Sequence, residues 1–383
     1  VDPTTAKRTL RSLTVIVAIQ WMGATLGLPL LPLFLERRGG SPTMVGLVMA
    51  SFFVAGLASQ FAVGHLADRF GRRRLLSAGL VAYAVASASF LLPVSAPWFA
   101  LARAVQGAGA GAIEVASLSA VSGMFAESER GRAISRIFAA QILGIAIGPL
   151  LGSLVPLDQL GWAFAGAGAA SALASVRALR ADLGDGVIHE TAMAPLQRSP
   201  QLYGALTAAV ATGLCVGVYE ACWSLLMRNH GASTFEIRLS WTLFCLPWVA
   251  LSGVGGWLAD HANRKVTAIA GTLNAAGFLA LYPHVHHVAV LLPLGSLEAV
   301  GSALSLPSIS SLLSQGATAR EMGRRQGLST TANTAALAAS AASAGALFSI
   351  DPALPFTLVA IASAACSGSL LWWWRRVRGR VNA

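Results

Sequence analysis

Apolar residues in this chain neither alternate nor mark a single helical face; they run on continuously for stretches of about 20 residues, the length a helix needs to cross a bilayer core about 30 Å thick. Twelve such stretches are predicted, at about 11–35, 43–66, 74–94, 97–125, 133–157, 159–179, 203–228, 234–258, 266–283, 287–313, 325–349 and 353–374. The fifth and sixth nearly touch, so eleven is the other reading. Barrel strands alternate apolar and polar positions over about ten residues, a pattern these runs lack. The first stretch contains Pro29 and Pro32 and no convincing small-residue cleavage site, and it is read as a membrane helix rather than a leader.

Composition agrees with lipid as the main solvent. Of 383 residues 55% are hydrophobic and 11% charged, with mean hydropathy +0.65. A net charge of +11 would point to nucleic acid in a soluble protein, but here the placement of the cations matters more than their sum. Of the 27 Lys and Arg residues, 22 fall on one set of loops: Lys7, Arg8 and Arg11; Arg69 and Arg72 to Arg74; Arg130, Arg132 and Arg136; Arg177, Arg180 and Arg198; Arg264 and Lys265; Arg320, Arg324 and Arg325; and Arg375, Arg376, Arg378 and Arg380. Arg37, Arg38, Arg228 and Arg238 lie on the other side, and Arg103 within a span. The positive-inside rule then makes both termini cytoplasmic, in a multi-pass protein of a cell membrane, the bacterial plasma membrane by expectation. No nucleic-acid partner is expected, and the chain is read as a monomer in the lipid bilayer. The four cysteines fall inside spans without ligand spacing, and His284, His286 and His287 have no accompanying Cys or carboxylate, so no metal and no cofactor is assigned.

One polar pattern occurs twice. Residues 64–73 read GHLADRFGRR and residues 256–265 read GWLADHANRK, 192 residues apart, each at the cytoplasmic end of an even-numbered span. Half a chain of separation with unchanged topology predicts two parallel six-helix halves, 1–179 and 203–383, joined by a polar cytoplasmic linker at 180–202. In the first copy the pattern is Gly64, Asp68, Arg69, Gly71, Arg72 and Arg73; in the second, Asp260 and Arg264 keep the acid and one base.

On these residues the sequence resembles the major facilitator superfamily, over essentially its whole length. The resemblance implies twelve transmembrane helices around a central cavity, no enzymatic activity, and a latch at this motif that favours the state closed to the cytoplasm. Physically, Asp68 and the nearby arginines sit where a helix end meets water, so their contacts can form in one conformation and break in another.

Two further stretches match family patterns. On the fifth span Gly144, Gly148, Pro149 and Gly152 resemble the antiporter motif of drug exporters, with Ser153 where a last Gly is expected; glycines at i, i+4 and i+8 also line one face and permit close packing. On the fourth span Arg103, Gln106, Gly107 and Gly109 are similar to the family motif associated with proton coupling.

Only three of the 16 acidic residues fall well inside spans: Glu114, Glu220 and Glu298. The resemblance puts their helices, the fourth, seventh and tenth, along the cavity. Intramembrane carboxyls are costly and mark ion or substrate paths. Arg103 and Glu114 share a helix face but lie about 16 Å apart, too far for a salt bridge. A carboxyl withdrawn from water is held neutral until a cation arrives beside it, so proton and cation compete for one site, which is the content of antiport. Gln20, Trp21, Gln106, Gln141, Tyr219, Trp223 and Asn333 are expected as polar and aromatic cavity walls. The expected activity is proton-driven export of amphiphilic, cationic compounds by alternating access. The alternative is export or proton symport of a metabolite, lipid or sugar. No nucleophile, metal cluster or nucleotide loop supports an enzyme, and a non-transporting scaffold would need no buried carboxylates.

Overall fold

The computed structural model is all-helical among its described residues, which are 3–125, 127–180, 196–317 and 319–375. The side chains of 61–70, 122, 127–128, 130–131, 252 and 319–320 are likewise not described. Gly64, Asp68, Arg69, Arg130, Arg320, Arg376, Arg378 and Arg380, and most of the expected linker, therefore fall outside the described parts of the chain.

Ten described helices are long and apolar enough to cross a membrane, eleven counting one bent pair. Breaks fall where the sequence supplies a reason. The first rod is α1 (Pro3–Leu26), a tight turn at Leu28–Leu30 and α2 (Leu31–Arg37), with Pro29 and Pro32 removing the amides that a continuous helix would need. α3 (Pro42–Phe70) and α4 (Arg72–Ala88) meet at Gly71, whose φ of +80° suits glycine alone in so short a turn. α5 (Trp98–Met124), α6 (Glu127–Gly152) and α7 (Leu160–Leu179) follow. α8 (Pro200–Val218) starts on an N-cap, the Ser199 side chain accepting from the Leu202 amide with Pro200 at the first helical position. It runs through a π-turn at Tyr219–Trp223 into α9 (Ser224–Asn229).

α10 (Thr234–His261) opens on a capping box, in which Ser233 and Glu236 satisfy each other's backbone amides. α11 (Arg264–Leu281), α12 (Val288–Ser314), α13 (Ala319–Ile350) and α14 (Leu354–Trp374) complete the chain. Pro247 lies inside α10, and Pro293 and Pro307 inside α12.

Two compact units form, Val1–Gly40 with Ser51–His189 and Ser41–Ala50 with Glu190–Ala383. Within the first, α1 packs on α6 and α7, and α4 on α5 and α7. Within the second, the helices 192 residues on make the same pairs: α8 with α13 and α14, and α11 with α12 and α14. The repeat seen in the loops therefore extends to helix packing. The first unit's core gathers Leu13, Ile16, Leu76, Leu80, Ala116 and Val121, none of them with measurable exposure.

The tightest seams depend on glycine. On α6, a methyl placed at Gly144 would lie 2.7 Å from the Ala18 carbonyl oxygen of α1, and one at Gly148 would run into the Thr25 hydroxyl. Gly152 presses on the Leu26 carbonyl in the same way. In the second unit the glycines lie on the other partner, where Gly213 and Gly217 of α8 face the Asn333 and Leu337 carbonyls of α13.

Candidate functional site

Four helices of the second unit enclose a cavity of about 180 Å³. α8 and its π-turn contribute Cys215, Tyr219, Glu220 and Trp223; α10 contributes Trp241, Phe244 and Trp248; Tyr282 follows α11; and α12 contributes Glu298. A π-turn carries one more residue than the α-turn it replaces, and such turns recur at functional sites. Here it occupies the five residues that bring Tyr219, Glu220 and Trp223 to the cavity wall.

Glu298 is the polar centre of this wall. It is 2% exposed, and its carboxylate accepts one hydrogen bond from the Tyr219 hydroxyl at 2.7 Å and another from the Tyr282 hydroxyl at 2.6 Å. The Asn274 amide donates to its backbone carbonyl at 3.0 Å, where Pro-containing α12 passes α11. Around the carboxylate the aromatic rings interlock: Tyr219 and Trp223 at 6.0 Å, Tyr219 and Phe244 at 6.2 Å, and Trp223 and Tyr282 at 5.0 Å between centroids. The Trp223 indole is held from behind by Ser240 at 2.8 Å. A carboxylate with two phenolic donors inside a ring of π-faces is an environment suited to a cation, attracted both by the charge and by the ring quadrupoles.

The first unit has a smaller counterpart, a pocket of about 30 Å³ lined by Gln20, Trp21, Phe52, Tyr83, Glu114 and Gln141 among others. Glu114 accepts from the Gln60 amide at 3.1 Å. Ser171 donates to Gln20 at 2.6 Å, drawing α7 to α1. Arg103 is 2% exposed and does not itself line this pocket, but it packs behind Phe52, which does. Its guanidinium donates to Gln106 at 3.1 Å and lies over the Phe52 ring at 4.2 Å, while the Gln106 amide donates to Ser87 at 2.9 Å. Arg103 and Gln106 thus form a relay across α4 and α5.

The structure therefore brings Glu298, Glu220, Tyr219 and Trp223 together, and separately Glu114, Gln20, Trp21 and Gln141. Asn333 joins neither group, because its amide donates to the Ala209 carbonyl at 2.9 Å and fastens α13 to α8. Gly144, Gly148 and Gly152 belong to the α6 seam with α1, and Pro149 is a buried proline inside α6. Of the loop motif, Arg72 is buried with its guanidinium against Gly123 at the end of α5, and Arg73 is exposed. In the second copy Asp260 is largely exposed and 3.8 Å from Arg264, whose Nε donates to the Ala259 carbonyl at 2.6 Å.

Several contributors escaped the sequence reading. Tyr282 is the second donor to Glu298, although it lies past the end of α11 and looks like an interfacial tyrosine. Glu321 and Arg325, which read as loop charges, form a buried pair at 2.9 Å with side-chain exposures of 2% and 1%. Arg325 also donates to the Leu313 and Gln315 carbonyls, and Glu321 accepts the Gln197 amide, so the pair binds the ends of α12 and α8's lead-in to α13. A signal was present: Glu129, Gly131 and Arg132 recur 192 residues later as Glu321, Gly323 and Arg324, the interval of the first repeat.

Two units of apolar helices long enough to cross a membrane, each with polar groups buried among them, define a polytopic membrane protein. Residues 13–216 and 205–383 match the profile of the Major Facilitator Superfamily, and the chain belongs to that superfamily. A chloramphenicol resistance protein of Pseudomonas aeruginosa is 35% identical over 159 residues, 40% of this chain and 38% of that protein. A probable chloroplastic anion transporter 1 of Oryza sativa subsp. japonica is 28% identical over 289 residues, 66% of this chain and 53% of that protein. The chain thus matches less than two thirds of the length of each. Among solved structures, a POT family transporter in complex with a thioalcohol-conjugated peptide superposes with a TM-score of 0.80 over 96% of both chains at 13% identity, a likeness of fold.

Proposed function

We propose that this chain is a secondary transporter that works by alternating access and expels amphiphilic, cationic drug-like compounds in exchange for protons. One observation carries the reading: Glu298 is buried in an aromatic-walled cavity with the Tyr219 and Tyr282 hydroxyls on its carboxylate. The ionised group accepts from both tyrosines. Protonation turns one of its oxygens into a donor, so one hydroxyl has to turn away or accept instead. The proton-loaded and cation-loaded sites therefore differ in hydrogen bonding as well as in charge, which gives each ligand a preference between states. Glu220 on the same wall is a second carboxyl for proton or cation, and Glu114 a third in the first unit. Similarity to a protein named for chloramphenicol resistance supports export of drug-like compounds.

In this reading the termini face the cytoplasm, the functional unit is a monomer in the plasma membrane, and the Asp68 and Asp260 motifs act as latches rather than substrate contacts. Everted vesicles loaded with a pH-sensitive dye test it. Addition of a cationic amphiphile should release protons from wild type and none from Glu298→Gln; equal release from the variant would refute the coupling role. The similarity to a probable anion transporter favours a second reading, transport of a metabolite anion. Anionic and neutral compounds in the same assay separate the two.

A further inference from the structure

At one end of the second unit, outside the spans, two histidines far apart in sequence meet. His230 occupies the turn between α9 and α10, where its amide donates to the Leu226 carbonyl at 3.1 Å and Gly231, with φ +83°, reverses the chain. His286 occupies the turn ahead of α12. Their Nδ1 atoms are 3.3 Å apart, and their rings stand at 62° with centroids 5.0 Å apart.

That separation equals the bite of a tetrahedral ion. With metal–nitrogen bonds of about 2.0–2.1 Å, two ligand nitrogens lie about 3.3–3.4 Å from each other. The two Nδ1 atoms cannot both carry protons toward one another, so at least one presents a lone pair. Among the described residues the other ring nitrogen of His230 has no hydrogen-bond partner, which leaves the contact with His286 to set its tautomer. Burial first, and His286 second, hold the His230 imidazole below its ordinary range.

We propose that His230 and His286 bind one divalent transition ion of the zinc class through their Nδ1 atoms, with water completing its coordination. Among the described residues no group of three or more His, Cys, Asp or Glu could hold a metal, so this ion has two protein ligands and exchanges with solution. Its position gives it leverage. Tyr282 lies four residues before His286 and donates to Glu298; Trp223 lies seven residues before His230 and packs on Tyr282. An ion bridging the turns ties together the two segments that carry the partners of the buried carboxylate. Resting on the proposed transport function, bound zinc slows turnover.

Titration calorimetry on the purified full chain in lipid nanodiscs, with zinc chloride and no substrate, tests the site directly. One zinc per chain should bind and magnesium should not. His230→Asn and His286→Asn should each weaken zinc binding at least about tenfold, as loss of one of two ligands requires, while His284→Asn and His287→Asn leave it intact. Unchanged affinity in either of the first two variants, provided their melting temperatures match wild type, overturns the site. So does absence of zinc binding to wild type. Because this titration involves no transport, it stands apart from the test of the transport reading. In vesicles that do transport, zinc should slow wild type and spare His286→Asn; equal sensitivity of both would overturn the regulatory part alone.

Discussion

The two units repeat the same helix pairs yet differ in where they place polar groups. In the first, the half-buried carboxylate Glu114 faces one amide beside a pocket of about 30 Å³. In the second, Glu298 faces two tyrosine hydroxyls beside a cavity of about 180 Å³. The loop position that follows the same rule of 192 residues diverges too: Glu129 is exposed, while Glu321 is buried against Arg325. Packing geometry has been retained in both halves and chemistry has not, so helix pairing serves both units, while under the proposed function ligand recognition rests on the second.

The most damaging way to test this contrast is at the carboxylates. Glu298→Gln should reduce proton-coupled export to background, whereas Glu114→Gln should leave a measurable fraction; equal losses would remove the functional asymmetry. Next, Glu321→Gln leaves Arg325 buried without its counter-charge and should cost about 3–5 kcal/mol. Glu129→Gln, at an exposed site, should change stability by about 0.5 kcal/mol or less. Chemical denaturation in mixed micelles compares the two. At the seams, Gly148→Val and Gly217→Val should each cost about 1–3 kcal/mol by forcing carbonyl backbone apart, seen as earlier thermal inactivation. Tyr282→Phe removes one hydrogen bond to a charged acceptor, worth about 1.5–3 kcal/mol before the carboxylate relaxes, and should shift cation affinity measured by tryptophan quenching. Asp260→Asn breaks a largely exposed ion pair and, like Glu129→Gln, should move stability by no more than about 0.5 kcal/mol, with any larger effect appearing only in the balance of transport states.

Much of this was legible in one dimension because the governing constraint is itself nearly one-dimensional. A backbone in lipid must satisfy its own hydrogen bonds, so continuous apolar runs become helices, and Pro29, Pro32, Gly71 and Ser199 place their breaks and starts. Glu298 was conspicuous for the same reason, as an acid with no business in hydrocarbon. What could not be read were properties of cross-helix register. Tyr282 reaches Glu298 because a tight turn after α11 redirects its ring toward α12, and nothing in its neighbours announces that. Asn333 looks like a cavity residue on a small-residue helix, yet the close approach permitted by Gly213 puts a carbonyl of α8 within its reach. Arg325 looked like a membrane-face anchor because, besides Glu321 on its own helix, its partners are the Leu313 and Gln315 carbonyls at the end of α12. His286 read as one of three histidines in a turn with no further ligand type, because His230 comes from 56 residues away.

The glycines at the two seams sit on opposite members of the corresponding pair, on α6 in one unit and on α8 in the other. An interface of this kind needs one smooth surface, and either partner can provide it. A chimaera that replaces α6 with the segment of α13 would therefore bring together two surfaces with no glycine at the contact, and the reverse graft would put glycines on both. The smallest interchangeable part of this molecule is a helix together with its mate.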